Sequence, residues 1–374
     1  MAGHEREPVL VADAGATSVH LTVYANDGTA LASYDDMSVP EDRLSGQLRN
    51  LLRYAPAPTA VGHRIVHGGP ELRRHTVVDD TVREEIALTA DLAPSHVPPA
   101  LHVLDAAREL LPNVPHVACF DTAFHTGLPP AAREFAVPES WREEYGVRRY
   151  GFHGLSYAWA LGRTAELLDR PPGELRIVIA HLGGGCSVCA VRDGVSVDTT
   201  MGFTPLDGLV MTCRSGAVDP GALTWLQTRH GLSAQEIDDA LNHRSGLLAL
   251  SGSSGDTRDL VRDRAAGDTR AALALDVFTH HCRAGIASMA ASLDRLDALV
   301  LTGEIGVDQP EVREEICAGL GVLGVTGGLR VPPASDGVRA LPVSEPDAAV
   351  PVVVVPSGET RQIDRETRRL LRAG

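Results

Sequence analysis

The alternation of apolar and polar positions divides the chain into short strands and longer helices. Pro8 to Ala12 is an apolar run that ends at Asp13-Ala14-Gly15. Ser18 to Tyr24 alternates as a second strand, Asn26-Asp27-Gly28 supplies a hairpin turn, and Thr29 to Ser33 reads as a third strand. The same figure returns from Arg176. Arg176 to Ala180 runs into His181-Leu182-Gly183-Gly184-Gly185, Ser187 to Val191 alternates, Asp193-Gly194 turns, and Val195 to Thr199 follows. Two such units predict a duplicated domain.

Between and after these units the period is helical. Arg43 to Tyr54, Pro99 to Leu111, Ser156 to Leu168, Arg270 to Leu293 and Pro310 to Leu320 carry apolar residues three and four apart. Two further buried strands are expected: Ala298 to Thr302, before Gly303-Glu304-Ile305-Gly306, and Val350 to Val355, before Pro356-Ser357-Gly358. Strands alternating with helices imply an α/β architecture. Pro332 to Pro346 reads as a surface loop. The strands ending near Ala12, Ala180 and Leu301 all run into glycine-rich turns. Such turns are how α/β proteins set backbone N–H groups against phosphates. Three in a duplicated frame suggest a nucleotide held in a cleft between two domains.

Composition narrows the chemistry. A length of 374 residues favours two domains, and 44% apolar with 22% charged residues is an ordinary globular balance. No apolar run approaches the roughly 18 residues of a membrane span. The Met1 to Pro8 segment lacks the pattern of an export signal, so a cytoplasmic protein without a membrane partner is expected. Six cysteines are few for this length and suit reduced thiols. Cys186 and Cys189 form a C-x-x-C without a second pair, and read as small residues on a strand before they read as a metal or redox site.

A formal charge of −15 argues against nucleic acid as partner. An anionic substrate must then be drawn in by a local group of arginines. All 34 basic residues are arginine and none is lysine, which excludes a Walker A loop, a protein-kinase β3 lysine and a Schiff base.

Polar residues beside glycine concentrate in a few segments outside any helical period. They are Gly62-His63-Arg64-Ile65-Val66-His67-Gly68-Gly69, Phe120-Asp121-Thr122-Ala123-Phe124-His125 and Arg148-Arg149-Tyr150-Gly151-Phe152-His153-Gly154. Asp198 to Gly208, which contains Thr-Met-Gly-Phe-Thr-Pro-Leu-Asp-Gly, and Arg214-Ser215-Gly216 complete the series. Together and in this order they resemble the acetate kinase family, with its propionate and butyrate kinase relatives. The resemblance runs from about Val9 to Arg365 and is densest from Phe120 to Pro220.

The resemblance implies a duplicated ribonuclease-H-like α/β fold of the actin, Hsp70 and hexokinase type, with an interdomain cleft. The expected domains are residues 1–124 with 360–374, and residues 125–359, the last helix (Glu359 to Arg372) returning to the first. The implied reaction is Mg²⁺-dependent phosphoryl transfer from ATP to a short carboxylate, and a homodimer is implied. Arg64, His153 and Arg214 are the implied transition-state residues, and Asp121 orients the substrate or a metal-bound water. Val66, Phe152 and Pro205 match the acyl pocket, whose fourth wall is Ser95. Asp13 and Glu359 fall on the metal positions. Ser18, His181, Gly183, Gly184 and Gly185 fall on the donor phosphates, and Asp256, Thr257, Arg258, Glu304 and Ile305 on the nucleoside.

The chemistry agrees with the implied roles. An ionised carboxylate needs no general base; it needs cations that quench its repulsion of the γ-phosphate, and guanidinium forks supply them.

Several positions depart from the family pattern. Asp13 stands where asparagine is usual, and Ala16 lacks a hydroxyl in Gly15-Ala16-Thr17-Ser18. Gly303-Glu304-Ile305-Gly306-Val307-Asp308 replaces the usual Gly-Gly-Ile-Gly-Glu-Asn, and Ser95 replaces leucine. Glu304 adds a carboxylate near the donor site, and Ser95 enlarges the acyl pocket. The alternatives are therefore a divergent paralogue using a longer or hydroxylated acid or another donor, or a non-catalytic nucleotide-binding relative. A sugar or polyol kinase of the same superfold is a third reading, less suited to paired arginines.

Overall fold

The computed structural model describes residues 7–15, 18–36, 41–331 and 337–373. Contacts divide the chain into two units. One comprises Met1–Thr126, Phe152–Trp159 and Gly358–Gly374; the other comprises Gly127–Gly151 and Ala160–Ser357.

The first unit is built on six strands: β1 (Val9–Ala14), β2 (Val19–Tyr24), β3 (Ala30–Asp36), β4 (Ala60–Ile65), β5 (Thr76–Val77) and β6 (His116–Phe120). They lie in the order β3-β2-β1-β4-β6-β5. β1, β2 and β3 form an antiparallel meander, whereas β4 and β6 continue the sheet parallel to β1. β1 is buried at every position, as a central strand covered on both faces must be. The helix Val97–Leu110 turns Val97, Ala100, Leu101, Val103, Leu104, Ala106 and Ala107 inward. The last helix, Glu359–Ala373, places Ile363 in a cluster with Val9, Val11, Tyr24, Ala60, Val117, Cys119 and Leu155. Burying such a side chain contributes about 1.5–3 kcal/mol.

β4 and β6 were not expected as strands, because His63, Arg64 and His116 interrupt their apolar pattern. The structure buries the two histidines as a pair. His116 Nε2 donates to the Leu111 carbonyl at 3.1 Å, so its Nδ1 accepts from His63 Nε2 at 3.0 Å. The rings stack at 5.3 Å, and burial, reinforced by His116 and Arg108, holds His63 well below the usual imidazole range. A neutral, hydrogen-bonded pair can occupy a strand interior that a charged one could not.

The second unit repeats the topology with β7 (Arg176–Leu182), β8 (Cys186–Arg192), β9 (Val195–Thr199), β10 (Ala298–Thr302), β11 (Leu341–Pro342) and β12 (Val352–Val354). Their order is β11-β12-β10-β7-β8-β9. β7, β8 and β9 match the first meander, β10 and β12 run parallel to β7, and β11 is a short antiparallel edge like β5. The duplication therefore covers whole sheets, not only the meanders.

β11 lies inside the stretch expected as a loop, of which residues 332–336 fall outside the described residues. Cys186 and Cys189 are both buried on β8, where burial pushes each thiol up to about 12. The long helix Thr269–Ala290 is capped by Asp268, which accepts from Arg270 N and Ala271 N. The helices Pro220–His230 and Ala234–His243 were not anticipated. Pro220–His230 buries no residue and has almost no apolar face, while Ala234–His243 is short and turns Ile237 inward; caps at Asp219 and Ser233 define their starts.

Candidate active site

In the first unit, strand register converges the charged groups. Ala12 lies opposite His63 and Ile65 opposite Phe120, so Asp13, Arg64 and Asp121 emerge at the same end of β1, β4 and β6. Arg64 Nη1 donates to Asp13 Oδ1 at 3.1 Å, while Nε and Nη2 both donate to Asp121 Oδ2, at 3.2 and 2.8 Å. Asp121 is 1% exposed, and its other oxygen, Oδ1, is buried without a hydrogen-bond partner. Burial would lower the Arg64 pKa, but Asp121 and Asp13 override it and push the guanidinium well above its ordinary value.

Glu359 joins this group at the start of the last helix. Burial pushes the Glu359 carboxyl up; Arg64 opposes that, Asp13 adds to it, and a hydrogen bond from the Ser156 side chain lowers it. Asp121 is likewise pushed up by burial, against the Arg64 charge. Three carboxyls thus share one guanidinium.

His153 stands beside them on a constrained backbone. Its φ is 58°, in the left-handed region that costs a non-glycine residue of order 1–3 kcal/mol. The next residue must be glycine: a Cβ on Gly154 would lie 2.0 Å from the Asp121 carbonyl oxygen. His125 Nε2 donates to the Phe152 carbonyl at 2.9 Å, which fastens this segment to the turn that carries Asp121. Val66 and Phe152 are both buried, and the Phe152 ring meets His67 edge-on at 5.2 Å. Ser95 is half-buried in the turn ahead of the Val97–Leu110 helix. Ser18 closes the β1–β2 turn, its carbonyl accepting from Gly15 N at 2.8 Å; Ala16 and Thr17 lie outside the described residues.

In the second unit the turn after β7 is held by its own backbone and by Thr212. Gly183 N donates to the Gly185 carbonyl at 3.1 Å, and Thr212 Oγ1 donates to the Gly184 carbonyl at 3.0 Å. Arg214 Nη1 donates to the Pro205 carbonyl at 2.5 Å. Burial lowers the Arg214 pKa, partly offset by the Cys186 and Cys213 thiols. Among the described residues no carboxylate pairs with it. It remains a guanidinium, since arginine titrates far above neutrality, and its charge is available to an anion.

Glu304 is exposed, and its carboxylate reaches the Gly183 turn: an added Cβ there would lie 2.8 Å from Glu304 Oε2. Ile305, beside it, is buried. Asp256 caps the helix Thr257–Ala265 by accepting from Arg258 N at 2.8 Å, and also takes the Arg258 side chain at 2.6 Å through Nη2. Thr257 is buried.

The structure therefore assembles Asp13, Arg64, Asp121, Glu359 and the Phe152–His153 segment within one unit. Within the other it assembles His181, Gly183 and Glu304, and joins Arg214 to Pro205. Ser156, Thr212, His125 and Gly154 support these groups but were not singled out. Gly154 and His125 stand inside two of the polar, glycine-bearing segments, though nothing there signalled their contacts; Ser156 falls within the helical period that follows, and Thr212 carried no signal.

A divalent cation suits the first group. Three carboxyls against one guanidinium leave excess negative charge, and the buried Asp121 Oδ1 lacks a donor. Among the described residues no three His, Cys, Asp or Glu side chains enclose an ion. Mg²⁺ commonly makes do with one or two carboxylates, completing its shell with water and substrate phosphate.

Comparison with known proteins places the whole chain. The model of the Acetokinase family matches residues 42–365. An acetate kinase from Leifsonia xyli subsp. xyli is 47% identical over 318 residues, covering 84% of this chain and 79% of its own. The crystal structure of Porphyromonas gingivalis acetate kinase superposes with a TM-score of 0.86 at 31% identity, over 98% of this chain and 100% of that one. A propionate kinase from Francisella tularensis subsp. tularensis gives 0.87 at 30% identity, over 97% and 99%. The family model, the sequence relatives and the superposed structures lead to one conclusion: the chain belongs to the acetokinase family.

Proposed function

We propose that Arg64, Asp121, His153 and Arg214 carry the transfer of a phosphoryl group from ATP to a short carboxylate, acetate or propionate, the reaction of the acetokinase family. The observation that carries this assignment is the guanidinium of Arg214, which meets a carbonyl but no carboxylate among the described residues, whereas Arg64 in the other unit is already ordered by two carboxylates. An acceptor that is already ionised needs charge compensation, not a base. Arg64 is oriented by Asp13 and Asp121 to receive the acceptor carboxylate, and Arg214 is free to grip the transferring phosphoryl. His153 donates to an oxygen of that group. Charge spread over these oxygens in the transition state is what such donors stabilise, each for about 3–4 kcal/mol, or 10²–10³ in rate.

Val66, Phe152, Pro205 and Ser95 bound the acyl group. His181 and Gly183 to Gly185 receive the donor phosphates, with Ser18 as an auxiliary hydroxyl. Asp256, Thr257, Arg258 and Ile305 form the nucleoside end, where the Asp256 cap fixes the helix start. Asp13 and Glu359 would hold Mg²⁺, which supplies charge neutralisation at the transferring phosphates. Val218 and Trp225, exposed at and next to the Pro220–His230 helix, support the homodimer, which sedimentation would measure. No helix among the described residues is long and apolar enough to cross a membrane.

Replacing Arg64 by alanine tests the acceptor role. The KM for acetate should rise and kcat fall with nucleotide affinity retained; an unchanged KM for the acid would remove Arg64 from the acceptor site.

A further inference from the structure

Glu304 follows β10, where the family pattern carries glycine. Its side chain reaches the turn after β7: the Cβ position of Gly183 lies 2.8 Å from Glu304 Oε2 and 3.5 Å from His181 Nε2. A carboxylate oxygen and an imidazole nitrogen therefore flank one glycine of the donor-phosphate turn. At the neighbouring Gly184 nothing lies within 4 Å of the Cβ position, so the turn has open space beside it. Burial is the main cause of the raised Cys186 thiol, but Arg214 pulls it down and Glu304 pushes it up. Glu304 thus acts in the same neighbourhood as Arg214.

A carboxylate beside a polyphosphate repels it unless a cation stands between them. Mg²⁺ readily bridges one carboxylate and two phosphate oxygens, keeping water on its remaining positions. Among the described residues no three potential ligands enclose an ion, so Glu304 could not retain a cation alone. The cation would enter with the phosphates.

We propose that Glu304 is a ligand for a second divalent cation, distinct from the one assigned to Asp13 and Glu359, which binds only together with the donor's phosphates. This rests on the assignment of His181 and Gly183 to Gly185 to the donor. Donor affinity should then keep rising with free Mg²⁺ after the nucleotide is fully converted to its magnesium complex.

Calorimetric titration of the full chain with a non-hydrolysable ATP analogue, without acceptor, tests this across a series of free Mg²⁺ concentrations. Wild type is compared with Glu304→Gly and Glu304→Gln, each checked for folding by thermal melt. Uptake of one extra cation requires the wild-type Kd to fall about tenfold for each tenfold rise in free Mg²⁺ below saturation. Both variants should be flat over that range. A common slope in all three proteins overturns the proposal. So do variants that bind more tightly by a constant factor at every Mg²⁺ level, which would make Glu304 a simple repulsive group. Wild type that binds no nucleotide at any Mg²⁺ level would overturn the donor-site assignment itself, and this proposal with it.

Discussion

Arg64 meets Asp121 with two donors on one oxygen, Nε at 3.2 Å and Nη2 at 2.8 Å, leaving the second carboxylate oxygen buried and unsatisfied. An unsatisfied buried acceptor costs about 1–3 kcal/mol, a cost that a functional site recovers when ligand arrives. In the proposed mechanism the same oxygen would be a fixed acceptor for a metal-bound water or a substrate group. The arrangement is ordered before substrate binds, as electrostatic catalysis requires.

Glu359 gives a pH-dependent test of the crowded carboxyls. Its folded-state pKa is raised, with burial the largest cause. A raised carboxyl keeps its proton to higher pH when folded than when unfolded. Its contribution is therefore intact below about pH 4, is lost as pH rises through the folded value, and leaves the full penalty at neutrality. Glu359→Gln should melt higher than wild type at pH 7.5 without Mg²⁺, by roughly 2–4 °C for each kcal/mol relieved. The difference should close towards pH 4, and Mg²⁺ should raise the wild-type Tm more than that of the variant. A variant that melts lower at pH 7.5 would contradict this reading.

His153 separates strain from chemistry. Glycine accepts the left-handed backbone without penalty, whereas alanine does not. His153→Gly should be at least as stable as His153→Ala, by up to about 1 kcal/mol. Both should lose about 10²–10³ in kcat. Retained turnover in either variant would remove the imidazole from the mechanism.

In the proposed acyl pocket, Ser95 would set the length of the acid. Ser95→Leu should lower kcat/KM for butyrate relative to acetate by about 10-fold or more, as expected for ~1–3 kcal/mol of pocket volume. Competition assays with the two acids read the ratio directly, and an unchanged ratio would place Ser95 outside the acyl pocket.

The extent to which the chain announced this structure varies by element. β1, β7 and β10 are continuous apolar runs, buried throughout or nearly so, and their glycine turns followed in the sequence. The repeat was legible in its two meanders. Its extension into β4 and β6 was hidden because His63 and His116 satisfy each other only once both strands lie side by side. Arg64, Asp121 and His153 were legible as polar residues beside glycine in unusual segments. The ion pair between Arg64 and Asp13 depends on strand register, and the need for glycine at 154 depends on a carbonyl thirty-three residues earlier in the chain. Neither leaves a trace in local pattern. Glu304 was visible as an added charge, but only its reach to Gly183 relates it to the glycine turn after β7.

The most direct measurement is acyl-phosphate formation trapped as hydroxamate, with acetate and propionate, MgATP, and wild type beside Arg214→Ala and Arg214→Lys. The account predicts wild-type turnover, a loss of about 10²–10³ or more in kcat for Arg214→Ala, and only partial recovery with lysine, whose point charge lacks the guanidinium fork. Folded wild-type protein that forms no acyl phosphate, or Arg214→Ala that turns over as well as wild type, would contradict it.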